Sequence, residues 1–224
     1  RFGIYTVQMM AKDAIEVVNH VGWTTFHLLG HSMGGMVAME LATMYRTRIR
    51  SLMLLSTHHG RRFSVLPTAR AVWGFLKATV KREKVLERSL IGNMQIMHGS
   101  LVHSNPEEYE RIWNDKLQDK SVFGKNGFQS PVSVLRQIVA IALHYVDDER
   151  LGRLREIPTL LVAGGEDALV PSQNSKHIAA LCNAETVVLW GRCGHSLHRE
   201  QPQQFRQLFL DHCQRHESKK RLCR

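Results

Sequence analysis

The six residues Gly30-His31-Ser32-Met33-Gly34-Gly35 constrain this chain more than any others. They stand between a short apolar run, Phe26-His27-Leu28-Leu29, and a segment rich in Met, Ala and Leu, Met33–Tyr45. The first reads as a buried strand and the second as a helix, so strand must become helix with almost no loop. A serine on so tight a turn is pushed into a strained backbone conformation. Its neighbours two residues away must be nearly bare to let strand and helix approach. Gly30 and Gly34 are expected to meet that demand. The strain lifts the Ser32 hydroxyl clear of the sheet, and the helix start behind it favours developing negative charge. The backbone N–H of Met33 is then one oxyanion-hole donor.

The same alternation runs on either side. Tyr5–His20 carries Val7, Met10, Ala14, Val17 and Val18 at helical spacing, and Gly22 ends it. Ile49–Ser56 is a second apolar strand. After Pro158 come strand Thr159–Ala163, helix Ser172–Leu181, strand Thr186–Trp190 and helix Gln201–His216. Near-continuous apolar strands alternating with helices predict an α/β fold with a parallel sheet covered on both faces. Between about 57 and 150 only helical patterns stand: Pro67–Val80, Glu83–Met97, Pro106–Leu117 and Pro131–His144, three of them opening on Pro. This block predicts a lid over the carboxyl edge of the sheet, where ligands sit in open α/β sheets. Trp73, Phe75, Leu76, Met94, Met97 and Trp113 are expected to form its core. The organisation predicted is a first core part over 1–56, a helical lid over 57–150, a second core part over 151–216 and a basic tail over 217–224.

A serine hydroxyl is a poor nucleophile without a base, and the base needs an orienting acid. On a sheet with such an elbow the partners follow in the order Ser, acid, His, each in a loop after a later strand. Asp167 lies just past strand Thr159–Ala163, and His195 lies just past strand Thr186–Trp190. Strand order therefore selects Ser32 as nucleophile, Asp167 as acid and His195 as base. His198 is expected to point elsewhere from the start of the last helix. Glu166 ranks below Asp167, because the turn toward Leu169-Val170-Pro171 aims only one of the two inward. Asp147-Asp148-Glu149 follows no strand and is expected to cap the helix leading to Leu154. His31, His58 and Leu169 are expected to line the substrate pocket, with His58-His59 at its mouth. The spacing of Cys193, His195 and His198 matches no usual zinc pattern, so no metal is expected, and the chemistry requires no cofactor.

Charge tempts a nucleic-acid reading and then removes it. The formal net charge is +10, but residues 46–88 hold eleven Lys/Arg against two Glu, and 215–224 hold five against one. The excess sits in two places, without a recognition-helix, zinc-finger or aromatic-interleaved basic pattern. Weak contact with an anionic membrane surface or acidic substrate is the most such charge implies. No apolar run approaches the roughly 20 residues of a membrane span. The four cysteines lack paired spacing and read as reduced thiols, which suits the cytoplasm. The start, Arg1-Phe2-Gly3, has neither an initiator Met nor a leader pattern, so a piece of a longer protein is expected.

Taken together the sequence resembles the α/β hydrolases of the esterase, lipase and enol-lactonase type. The similarity is sharpest at Tyr5-Thr6 to Asp13, Gly22-Trp23, Gly30–Gly35, Gly165–Pro171 and Gly194–Pro202. It implies that Ser32, Asp167 and His195 serve as nucleophile, acid and base and Met33 as an oxyanion donor. It implies strands equivalent to the fifth to eighth of that fold. The first strands, and the His-Gly loop that supplies a second donor, would be missing. Ser rather than Asp at the elbow is unlike the epoxide hydrolases and haloalkane dehalogenases. The implied reaction is cleavage of a carboxylic ester or related acyl bond in a small, even lipid-like, molecule; the family also holds thioesterases, lactonases, C–C hydrolases and haloperoxidases. The alternative is a protein of this fold that binds a ligand or partner with little or no turnover.

Overall fold

A computed structural model describes residues 5–60, 97–118, 131–184 and 186–217. The chain opens with helix α1 (Val7–Val21), strand β1 (Phe26–His31), helix α2 (Met33–Met44) and strand β2 (Ile49–Leu55). Helices α3 (Ser100–His103), α4 (Pro106–Gln118), α5 (Pro131–Leu143) and α6 (Asp148–Gly152) follow. The last part holds β3 (Thr159–Gly164), α7 (Gln173–Cys182), β4 (Thr186–Trp190), the short α8 (Leu197–Glu200) and α9 (Pro202–Glu217). The helix expected over Pro67–Val80, and that over Glu83–Met97 but for Met97 itself, lie outside the described residues with Trp73, Phe75, Leu76 and Met94, as does the tail beyond Glu217. No helix among the described residues is long and apolar enough to cross a membrane.

The four strands are parallel and lie side by side in chain order, β1-β2-β3-β4. Every residue of β3 is buried, and all of β2 except Arg50. Because side chains alternate across a sheet, such strands need a core on each face. Leu52 and Leu54 of β2 and Leu161 of β3 pack with Ile15, Met39 and Ile178, from α1, α2 and α7. Met53, Leu55, Leu160 and Val162 face the other way, onto Trp190, Leu197 and Phe209. The sheet is thus sandwiched, and the carboxyl ends of the strands are left for loops.

Local chemistry sets the element ends. Thr6 caps α1 by accepting from the Met9 N–H at 3.2 Å, and Gly22 at φ 79° closes it. The buried face of α1 is Val7, Ala11 and Ile15, whereas Val17, expected to point inward, is 64% exposed. The four-residue step from Val7 carries the core stripe away from it. Asp147 caps α6 through the Arg150 N–H at 2.8 Å, the role expected of that acidic run. The last helix starts at Pro202, after a separate turn of helix over Leu197–Glu200. Ala140 and Ile141 of α5 pack with Val7 and Met36, which sets α5 against the starts of α1 and α2. Trp113 packs with Val102 and Ile112.

Candidate active site

Ser32 is the only residue between β1 and α2, and its backbone sits at φ 55°, ψ −122°. Such a conformation costs a non-glycine residue about 1–3 kcal/mol and persists only when its surroundings hold it. Here they do. The Ser32 N–H donates to the Leu55 carbonyl at 3.0 Å, at the end of β2. Its own carbonyl accepts from the Gly35 N–H at 2.9 Å and from the Thr57 hydroxyl at 2.7 Å. A Cβ on Gly30 would lie 2.5 Å from the Gly34 carbonyl oxygen, and one on Gly35 would lie 2.6 Å from Thr57 Cβ. A Cβ on Gly34 would meet nothing within 4 Å. The bare positions that this turn needs are therefore Gly30 and Gly35, not Gly30 and Gly34. Met33 is the first residue of α2, so its N–H belongs to the helix-start donors that have no intrahelical acceptor.

Asp167 and His195 meet in the interior, 6% and 2% exposed. Asp167 Oδ2 lies 2.9 Å from His195 Nδ1. Asp167 Oδ1 accepts the N–H groups of Leu169 at 2.9 Å and Val170 at 2.8 Å. A carboxylate with those partners is held as an acceptor, so Nδ1 of His195 carries the proton and Nε2 presents a lone pair. The residue before the serine reaches this pair. His31 Nε2 donates to the His195 carbonyl at 2.9 Å, and the two rings are 4.8 Å apart. Burial, reinforced by the charge of His195, pushes His31 down to about 4, so its ring is neutral at neutral pH.

A family model described as the alpha/beta hydrolase fold matches residues 3–202. The chain belongs to the α/β-hydrolase family. It is 28% identical over 215 residues to a protein of Pseudomonas savastanoi pv. phaseolicola (strain 1448A / Race 6) named carbamate hydrolase RutD; the match spans 92% of this chain and 74% of that one. A protein of the same name from Pseudomonas syringae pv. syringae (strain B728a) is 29% identical over 208 residues, spanning 90% and 72%. Among solved structures, a thermophilic esterase from Thermogutta terrifontis superposes with a TM-score of 0.70 at 24% identity, covering 95% of this chain and 74% of that one. The enol-lactonase from Burkholderia xenovorans LB400 gives 0.69 at 17%, with the same coverage. At these identities the two structures establish fold alone.

The remaining candidates of this hydrolase sort by contact. Glu166 turns away from His195 and accepts from Ser100, N–H at 2.5 Å and hydroxyl at 2.8 Å, tying the acid loop to α3. Leu169 is half-buried and holds Asp167 through its backbone. His58 is half-buried and acts electrostatically on His59 and His144, so the structure groups it with those histidines. Burial pushes His58 itself down to about 4. His198 does not point elsewhere as expected: its ring stands edge-on to His31, 4.6 Å away, and burial pushes it down to about 3. The extra turn of α8 swings it back toward β1.

Sequence reasoning missed Glu200. It is 3% exposed, and its carboxylate accepts the Gly194 N–H at 2.9 Å and the Gly99 N–H at 3.1 Å, with His98 Nδ1 at 3.5 Å. It fastens the loop bearing His195 to the segment before α3. A carboxylate five residues after the histidine and two before Pro202 was the available signal.

Proposed function

We propose that this protein is a serine hydrolase that cleaves a carboxylic ester, or a related acyl bond such as a carbamate, by two-step acyl transfer. One observation carries the reading: His195 is oriented by Asp167 at 2.9 Å while His31, the neighbour of Ser32, is bonded to the His195 backbone. His195 Nε2 takes the Ser32 proton as the hydroxyl attacks a carbonyl held against the Met33 N–H. The leaving group departs with that proton, and water, activated by His195, then releases the acyl group from Ser32. Asp167 stabilises the imidazolium and fixes its tautomer. Carbamates enter the substrate class because the curated relatives carry that name.

The helices between β2 and β3, with α5 packed on the start of α2, fit a lid that shapes the acyl pocket, with His31, His58 and Leu169 near its walls. The order β1-β2-β3-β4 fits the fifth to eighth strands of the family's sheet, with further strands pairing along the free flank of β1.

The test is hydrolysis of p-nitrophenyl esters and an aryl carbamate by the full-length protein. Ser32→Ala is expected to lower kcat by about 10⁶-fold and Asp167→Asn by about 10⁴-fold. Wild-type turnover in Ser32→Ala would reject the nucleophile.

A further inference from the structure

Three side chains that this chemistry leaves unused meet beside the loop that follows β2. His59 is 0% exposed, and among the described residues neither of its ring nitrogens has a hydrogen-bond partner. Its ring lies 4.9 Å from that of His177 on α7, tilted by 33°. Asp148, the exposed first residue of α6, completes the group: one ligand-capable atom from each residue lies within 4.8 Å of the others. The backbone holds two of them in register, because the His59 carbonyl accepts the Val146 N–H at 2.7 Å, just ahead of α6.

A buried nitrogen without a partner costs about 1–3 kcal/mol, so native interiors supply one. Two imidazole nitrogens and one carboxylate oxygen suit zinc, cobalt, nickel and copper better than magnesium or calcium, which take oxygen sets. Bonds of about 2.0–2.2 Å in a tetrahedral shell put donors roughly 3.3–3.5 Å apart. The three must therefore close by up to about 1.5 Å. Asp148 is exposed and His177 half-buried, so the movement falls on them while His59 stays fixed.

We propose that His59, Asp148 and His177 bind one divalent transition-metal ion of the zinc class, with water completing the shell. The expectation of no metal rested on Cys193, His195 and His198; this site uses none of them. Its role is structural. The ion would join the loop after β2 to α6 and α7, and Thr57, two residues before His59, holds the Ser32 carbonyl at 2.7 Å. Binding stabilises the loop that buttresses the elbow and takes no part in the reaction, so the site stands whether or not the acyl-transfer reading does.

The full-length protein, stripped with a chelator, is titrated with Zn²⁺ by calorimetry and with Co²⁺ by visible absorption, beside Asp148→Asn, His177→Gln and the double variant. Wild type is expected to take one equivalent at this site, with the strong d–d bands of four-coordinate cobalt. Each single variant is expected to weaken that binding by more than the roughly 10- to 100-fold that loss of an outer-shell partner costs, and the double variant to lose the bands. Asp148 is exposed, so Asp148→Asn keeps the fold by circular dichroism and decides the matter if a histidine variant does not. Thirteen histidines and four cysteines offer other places for zinc. Unchanged affinity and bands in Asp148→Asn, or no stoichiometric binding by wild type, overturns the proposal.

Discussion

At Ser32 the strained turn is held from three directions: by the end of β2 through Leu55, by the first turn of α2, and by the hydroxyl of Thr57. The same Thr57 decides which glycine matters. Gly35→Ala drives a methyl to 2.6 Å from its side chain, so Thr57 must yield and its bond to Ser32 with it. We expect Gly35→Ala to cost about 1–3 kcal/mol, and Gly34→Ala, which meets open space, to be neutral or to stabilise by up to about 1 kcal/mol. Urea unfolding of the two full-length variants checks this, and equal stabilities would contradict it. The elbow itself was legible in the sequence, because a strand, one serine and a helix leave few backbone paths. The choice between Gly34 and Gly35 was not, because the atom that a Cβ strikes comes from a loop twenty-two residues further along.

Elements bring the loops of Asp167 and His195 into place, and here the sequence order of strands carried most of the information. Asp167 and His195 follow β3 and β4, neighbours in the sheet, so their loops emerge side by side at the carboxyl edge. What order could not reveal is the fastening of those loops. Glu166 grips α3, and Glu200 grips Gly194 and Gly99 from inside the protein. A buried carboxylate accepting two amide N–H groups contributes roughly 1.5–3 kcal/mol per bond. Glu200→Gln leaves a donor facing a donor at one of the two glycines. The expected result is a loss of about 1.5–3 kcal/mol in stability, with kcat lowered and KM unchanged as the His195 loop loosens. Steady-state kinetics on the folded variant separate this from mere destabilisation, which moves neither constant. His198 departs from its expected direction for a related reason: one added turn of helix between β4 and α9 redirects its ring, and nothing in the local pattern announces that turn.

The whole molecule is a parallel sheet with cores on both faces, and that much follows from apolar strands alternating with amphipathic helices. Its interior is also rich in neutral histidines, which ties global stability to pH. His31 and His198 titrate near 4 and 3 when folded, against 6.5 for the ordinary group, chiefly because burial disfavours the cation. The unfolded chain therefore binds more protons between those values, so stability rises with pH across that window. The share of stability these histidines hold is expected to start falling as pH drops below about 6.5 and to be lost by about 3, read as melting temperature against pH. His31→Asn should flatten part of that slope, and an unchanged slope would reassign it to other groups. The proposed mechanism depends on the fold in one respect above all, because it needs β1, β3 and β4 to deliver Ser32, Asp167 and His195 to one edge. The most direct probe is a fluorophosphonate, with the adduct located by peptide mass spectrometry in the full-length protein and in His195→Ala. The account predicts a single adduct on Ser32 that forms rapidly in wild type and barely at all without the imidazole. An adduct on another residue, or equal labelling rates in the two proteins, would contradict it.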